Sequence, residues 1–270
     1  MIKKLLPLAI AAAFAAGSAQ AATFVNGDFE AGNLSGWTGS GGSFSTSQGS
    51  APINPSVYAS NPGAANNTIV GVGIDPITGA STTYGGKYAV RVNDNVNNYS
   101  VSTLTQTVNG YTDNSIFFAW NAVLESSHGL TNSDYFSLTL RDLTAGVDIV
   151  SRGYSSAGSI GGGTTGVTWS SGIHPGSPIY GTWYTSGWVV EQIDLTTAGA
   201  GNTSIVGHDF QLTLLASDCP YGGHAGYVYL DGFGGSIPTQ GGGVPEPASL
   251  ALMGLGVAAV AATRRKKKSV

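Results

Sequence analysis

The sequence predicts an all-β protein: an antiparallel jelly-roll β-sandwich, flanked by an N-terminal signal helix and a short C-terminal transmembrane helix. Three observations carry this. Several runs alternate apolar and polar residues with period two, the pattern of half-buried antiparallel strands. Glycine supplies 41 of the 270 residues, about twice the usual share of roughly 7%. Between the two ends, few segments look helical. Many short strands in a Gly-rich chain fit two packed sheets.

The elements follow in chain order. Lys3 and Lys4 precede the apolar stretch Leu5 to Ala16, and Ala19-Gln20-Ala21 follows. A charged region, a short apolar region and an A-x-A site make residues 1–21 a secretory signal peptide, cut after Ala21. Residues 22–238 form the sandwich. A short strand is expected near Phe24. KYAVRVN (87–93), STLTQTVN (102–109), VDIVSRG (147–153) and WVVEQIDL (188–195) are further strands. The strongest alternation is in SIFFAWNAVLE, where Ile116, Phe118, Trp120, Ala122 and Leu124 share a face. Phe136, Leu138 and Leu140 do so in DYFSLTLRDL, and Phe210, Leu212, Leu214 and Ala216 in HDFQLTLLASD. Near the end, Val228 and Leu230 alternate with Tyr227 and Tyr229. Residues 38–83 and 154–187 are too long and polar for ordinary turns, and loops of that length are functional or disordered. Residues 239–244 form a flexible linker.

Charge excludes one class of partner. Of the 11 Lys and Arg, only Lys87, Arg91, Arg141 and Arg152 lie outside the two ends, and only Glu246 of the 15 acidic residues lies inside them. The exported part is therefore near −10. Such a surface repels nucleic acid, whose phosphates need basic partners, and attracts divalent cations. The single cysteine, Cys219, excludes an intrachain disulfide.

The domain opens with FVNGDFEAGNLSGW. In an extended strand Asp28 and Glu30 share a face, with Phe29 opposite and aimed at the core. Two carboxylates beside a sheet edge suit a hard cation such as calcium, which takes six to eight oxygens. The alternative is that they face solvent or cap a turn. The N-G-D-F-E…L-S-G-W string resembles the start of carbohydrate-binding-type jelly rolls of bacterial secreted proteins. That resemblance implies a structural calcium tying the first strand to the last. By position its ligands are Glu30 through its side chain, Asp28 through carbonyl or carboxylate, the Lys87 carbonyl in GGKYAV, and the Asp231 side chain in GYVYLDGF. A second resemblance, to a jelly roll of bacterial surface proteins, rests on the VLE–H segment, IDLTTAG and SDCPYGGHAGYVYLDGF. It places His128, Asp218, Cys219 and His224 in one pattern and implies no chemistry for them.

Most signatures of catalysis are absent: no G-x-S-x-G, H-E-x-x-H or C-x-x-C occurs. His128, Asp218, Cys219 and His224 are candidates for a Cys-His nucleophile or a transition-metal site, or for hydrogen bonds that tie loops to the sheet. Glu125 and Glu191 are a candidate pair for glycoside hydrolysis. Trp169, Tyr180, Trp183, Tyr184 and Trp188 supply aromatic faces for a sugar; the alternative is that they cover a hydrophobic edge of the sandwich.

The chain ends with Pro245-Glu246-Pro247, an apolar run from Ala248 to Ala262, and the basic block Arg264 to Lys268. The run is shorter than the roughly 20 residues of an ordinary membrane span, but Arg264 and Arg265 extend it by snorkelling. The basic block stays cytoplasmic by the positive-inside rule. A plain membrane anchor is one reading. The three parts in this order resemble the PEP-CTERM sorting signal of Gram-negative bacteria, over residues 245–270. That resemblance implies an exosortase as partner, export through the inner membrane, and a setting of exopolysaccharide or biofilm production. The combined expectation is a non-catalytic surface or matrix protein. It contacts polysaccharide through the sandwich and the membrane only through its tail. A purely structural matrix protein and a glycoside hydrolase are the alternatives.

Overall fold

A computed structural model describes residues 23–44, 58–126, 128, 133–156, 167–172, 181–221 and 224–234. The expected signal peptide and linker, the whole sorting tail with Pro245, Glu246, Pro247, Arg264 and Arg265, and the aromatic Tyr180 lie outside the described residues. Thirteen strands are described: β1 (Thr38–Ser43), β2 (Ala59–Ser60), β3 (Asn67–Gly71), β4 (Tyr88–Val92), β5 (Ser100–Val108), β6 (Ser115–Glu125), β7 (Tyr135–Asp142), β8 (Val147–Ser155), β9 (Ser170–Ser171), β10 (Trp183–Thr185), β11 (Val189–Asp194), β12 (Phe210–Ser217) and β13 (Gly226–Gly234). One sheet runs β2-β1-β5-β12-β7-β8; the other runs β3-β4-β13-β6-β10-β9, with β11 also on β6. Every pairing is antiparallel. The chain passes repeatedly from one sheet to the other, so the protein is an all-β sandwich of jelly-roll type.

Period-two alternation builds the core. Ile116, Phe118, Trp120, Ala122 and Leu124 of β6 face Phe136, Leu138 and Leu140 of β7 and Phe210, Leu212 and Leu214 of β12 in one buried cluster. Burying a large apolar side chain contributes about 1.5–3 kcal/mol, so this layer holds the two sheets together. At one edge Arg152 of β8 makes a two-pronged ion pair with Glu191 of β11, at 2.9 and 3.0 Å. The pair joins the sheets.

Two central strands are buried on both faces, beyond the half-burial that alternation predicts. Val228 and Leu230 of β13 enter the core, while Tyr227 and Tyr229 are 1% exposed on the opposite face. The loop through Asp75 and Ile77 covers them. Asp75 Oδ2 accepts from both tyrosine hydroxyls at 2.7 Å. Its Oδ1 accepts from the Ile77 and Thr78 amides and the Thr78 hydroxyl.

Three expectations need correction. There is no strand near Phe24 among the described residues. Asn26 and Phe29 adopt left-handed φ of 48° and 59°, and the Asn26 side chain accepts from the Ala31 amide and donates to the Asn33 carbonyl. The opening motif is thus a set of turns, and Asp28 and Glu30 do not share a strand face. Phe29 is nevertheless fully buried, stacked on Trp37 at 5.1 Å. Residues 38–83 are also not one long loop: β1, β2 and β3 lie within them. β1, sequence TGSGGS, has no apolar residue, yet it pairs with β5 over six consecutive residues. Its glycines permit close crossing, since a Cβ on Gly42 would lie 2.1 Å from the Ala59 carbonyl oxygen. Likewise β9 and β10 lie inside 154–187.

Candidate functional site

The opening turns, the Tyr84–Tyr88 loop and β13 meet at a carboxylate seam. Glu30 Oε1 accepts from the Lys87 and Tyr88 amides at 2.7 and 3.0 Å. Asp231 Oδ2 accepts from the Tyr84 and Gly85 amides at 2.8 and 2.9 Å. The four donors flank Gly86, whose φ of +55° turns the loop from one carboxylate to the other. A Cβ on Gly86 would lie 2.2 Å from Glu30 Oε1. The Phe233 amide donates to the Gly27 carbonyl at 2.9 Å, so the start and end of the domain lie side by side.

The seam is electrostatically unfavourable for an ionised Asp231. Burial pushes its carboxyl up to about 7, and the neighbouring Glu30 charge adds to the rise, against the pull of the Gly85 and Tyr84 amides. A divalent cation would compensate this charge. The residues fit calcium chemically, since all the donors are oxygens: the Glu30 and Asp231 carboxylates and the Lys87 carbonyl. That carbonyl accepts one bond, from the Val72 amide at 3.1 Å, and keeps a second lone pair. Asp28 is exposed, and its Oδ1 accepts from the Glu30 amide at 3.2 Å, which caps the turn. The structure therefore brings Glu30, Lys87 and Asp231 together, and Asp28 lies two residues from Glu30 on the same turn.

The aromatic candidates separate. Trp183 is 1% exposed and packs with Ile77, Val123, Tyr227 and Tyr229, so its ring offers no open face. Trp169 leans on the main core and meets Tyr154 edge-on at 5.5 Å. Tyr184 is half-buried on β10. These rings cover the sandwich. Trp188 is different. Partly exposed, it donates Nε1–H to the Ser81 carbonyl at 3.0 Å and lies 5.7 Å from the Tyr84 ring. Tyr84 is the residue whose amide binds Asp231, so this half-buried aromatic pair, with Trp188 also resting on the Tyr229 side of the sandwich, is built onto the seam. Sequence reasoning missed Tyr84 because it lies in a polar loop far from Trp188 in the chain. The only cue was its place two residues before Gly86 in the GGKYAV neighbourhood.

The remaining candidates are resolved by position. Glu191 pairs opposite Phe118 on β6, and Glu125 ends that strand. Seven residues of extended chain are roughly 23 Å, well beyond the ~5–9.5 Å that glycoside hydrolysis needs. Asp218 is taken up by the 93–100 segment, accepting from the Asn98 and Ser100 amides and the Asn93 side chain. His128, Cys219 and His224 do meet, with ligand atoms all within 4.8 Å of one another.

Fold and seam together define a class, an antiparallel jelly-roll sandwich whose ends are joined through carboxylates. The tail adds a second assignment: residues 243–266 match the PEP-CTERM protein-sorting motif, which implies export and handling by an exosortase. No curated protein matches the chain. Solved structures similar to it include TmCBM61 in complex with β-1,4-galactotriose, at 13% identity over 78% of this chain and 95% of that one, TM-score 0.39. The module CBM28, specific for non-crystalline cellulose, is 11% identical over 77% of this chain and 92% of that one, TM-score 0.36. CBM27-1 of Caldicellulosiruptor saccharolyticus in complex with mannohexaose is 12% identical over 77% and 93%, TM-score 0.35. Likeness at this level carries no argument about ligand; the sandwich architecture stands on its own strand pairings.

Proposed function

We propose that this is a non-catalytic protein of the cell surface or extracellular matrix that binds exopolysaccharide on the Tyr84–Trp188 face, with a structural calcium ion at the Glu30–Asp231 seam. The observation that carries the reading is the attachment of a partly exposed aromatic pair to a carboxylate seam, in a chain whose tail matches a sorting motif. Aromatic faces bind the apolar faces of sugar rings, and the adjacent Ser81, exposed on the same loop, adds a hydroxyl. Calcium, when bound, supplies a fixed double positive charge. The chain's own part is to hold Glu30, Asp231 and the Lys87 carbonyl so that the Tyr84–Tyr88 loop keeps one conformation. Ordering that loop in advance reduces the entropy cost of gripping a polysaccharide.

The test is affinity electrophoresis of the protein through gels containing the producing bacterium's exopolysaccharide. Retardation is expected with calcium, reduced without it, and lost in Tyr84→Ala and Trp188→Ala. Unretarded migration in all conditions, together with weakened biofilms in a deletion strain, would replace the binding role with a purely structural one.

A further inference from the structure

His128, Cys219 and His224 come from three different places in the chain. Cys219 lies just after β12, His224 just before β13, and His128 three residues beyond β6. Topology brings them to one end of the sandwich. The Cys219 amide donates to the His224 carbonyl at 2.8 Å, closing the turn that carries two of the three. The neighbouring Ala225 is locked to the end of β6 in both directions: Glu125 donates its amide to the Ala225 carbonyl at 3.1 Å, and the Ala225 amide donates to Glu125 Oε2 at 2.9 Å. The His128 ring meets that of His224 edge-on at 4.7 Å and that of Tyr221 at 4.9 Å.

We propose that these three residues form a binding site for one thiophilic transition-metal ion, Zn(II), with Cys219 as thiolate and both histidines as neutral imidazoles. Distance supports this. Cys219 Sγ and His128 Nδ1 are 3.6 Å apart. Ligands at about 2.3 Å (sulfur) and 2.0–2.1 Å (nitrogen) from a tetrahedral zinc lie about 3.6 Å from each other. The donor set agrees: one sulfur and two imidazoles favour a borderline-soft cation over calcium. Burial agrees as well. Cys219 is fully buried while His128 is exposed, so the fourth position of the tetrahedron is left on the solvent side, where a water molecule would complete it. On binding, the thiol gives its proton to solvent and no other bond changes. The site is separate from the carboxylate seam, since His224 and Asp231 are seven residues apart along an extended segment, roughly 23 Å.

The experiment is a Co(II) titration of the full chain, purified in detergent and stripped of metal, followed by Zn(II). Because Cys219 is the only cysteine, any thiolate-to-cobalt charge-transfer band reports this site. The band should saturate at about one equivalent and vanish on Zn(II) addition, the metals competing for the same three ligands. Cys219→Ser should abolish it. His128→Ala and His224→Ala should each weaken binding by about tenfold or more, as loss of a ligand removes more than the outer-shell changes that already cost that much. Each variant is checked for an unchanged far-ultraviolet sheet spectrum, so a folding defect is recognised as such. Absence of the band in the folded native protein, or titrations of the two histidine variants that match the native one, would overturn the proposal.

Discussion

Gly86 carries more of the proposed function than its size indicates. It sits at a left-handed φ of +55° and leaves no room for a Cβ beside Glu30. Alanine there combines backbone strain with a clash against a carboxylate, at a cost of about 1–3 kcal/mol. Gly86→Ala should lower the unfolding free energy measured in urea by that amount and blunt the proposed calcium response, whereas alanine at Gly110, which has open space around it, should leave that response intact. Asp75 is a second decisive residue. Asp75→Ala leaves the buried Tyr227 and Tyr229 hydroxyls without their acceptor. A buried polar group left unpaired costs about 1–3 kcal/mol. Adding Tyr227→Phe and Tyr229→Phe to Asp75→Ala should recover part of the lost stability, because the orphaned hydroxyls are then gone; chemical denaturation of the single and triple variants measures this.

Among the elements, β6 is the keystone of the sandwich. It pairs with β13 on one side and with β10 and β11 in series on the other. Trp120 at its centre is fully buried, beside Phe136 at 4.9 Å. Trp120→Ala should destabilise by about 3–5 kcal/mol, seen as a lower denaturation midpoint with an unchanged slope. This strand was legible in the sequence because its inward residues repeat every second position over eleven residues. The same holds for β7, β12 and β13. β1 was not legible, because a strand made of Thr, Gly and Ser has no apolar face; its neighbour β5 imposes the conformation through backbone pairing. The opening motif misled for the opposite reason. Its Phe29 does reach the core as alternation requires, but Asn26 redirects the backbone into left-handed turns. At the site, the nearness of Glu30 and Asp231 was legible through the resemblance of the opening and closing strings. The Tyr84–Trp188 contact was not, since it depends on how the 72–88 loop folds over β13.

For the whole molecule the sign of the pH dependence follows from two buried acids. Burial, above all, pushes Asp231 up to about 7 and Asp218 up to about 6. Both exceed the ordinary value of 3.8, so the folded state holds these protons more tightly than the unfolded chain. Their contribution is full below about pH 4 and is lost as pH rises through 6 to 7. For Asp231 alone this amounts to about 4 kcal/mol at ~1.4 kcal/mol per unit. The metal-free protein should therefore melt about 10 °C higher near pH 5 than near pH 8, at roughly 2–4 °C per kcal/mol for a domain of this size. Calcium at the proposed site would bind the ionised carboxylates, so it should raise the melting temperature more near pH 8 than near pH 5.

Calorimetric melting of the metal-free protein near neutral pH, before and after calcium is added alone, tests the carboxylate seam most directly. The account predicts a rise of several degrees, absent in Glu30→Gln and in Asp231→Asn. A melting temperature that calcium leaves unmoved in the native protein, with the sheet spectrum intact, would contradict it.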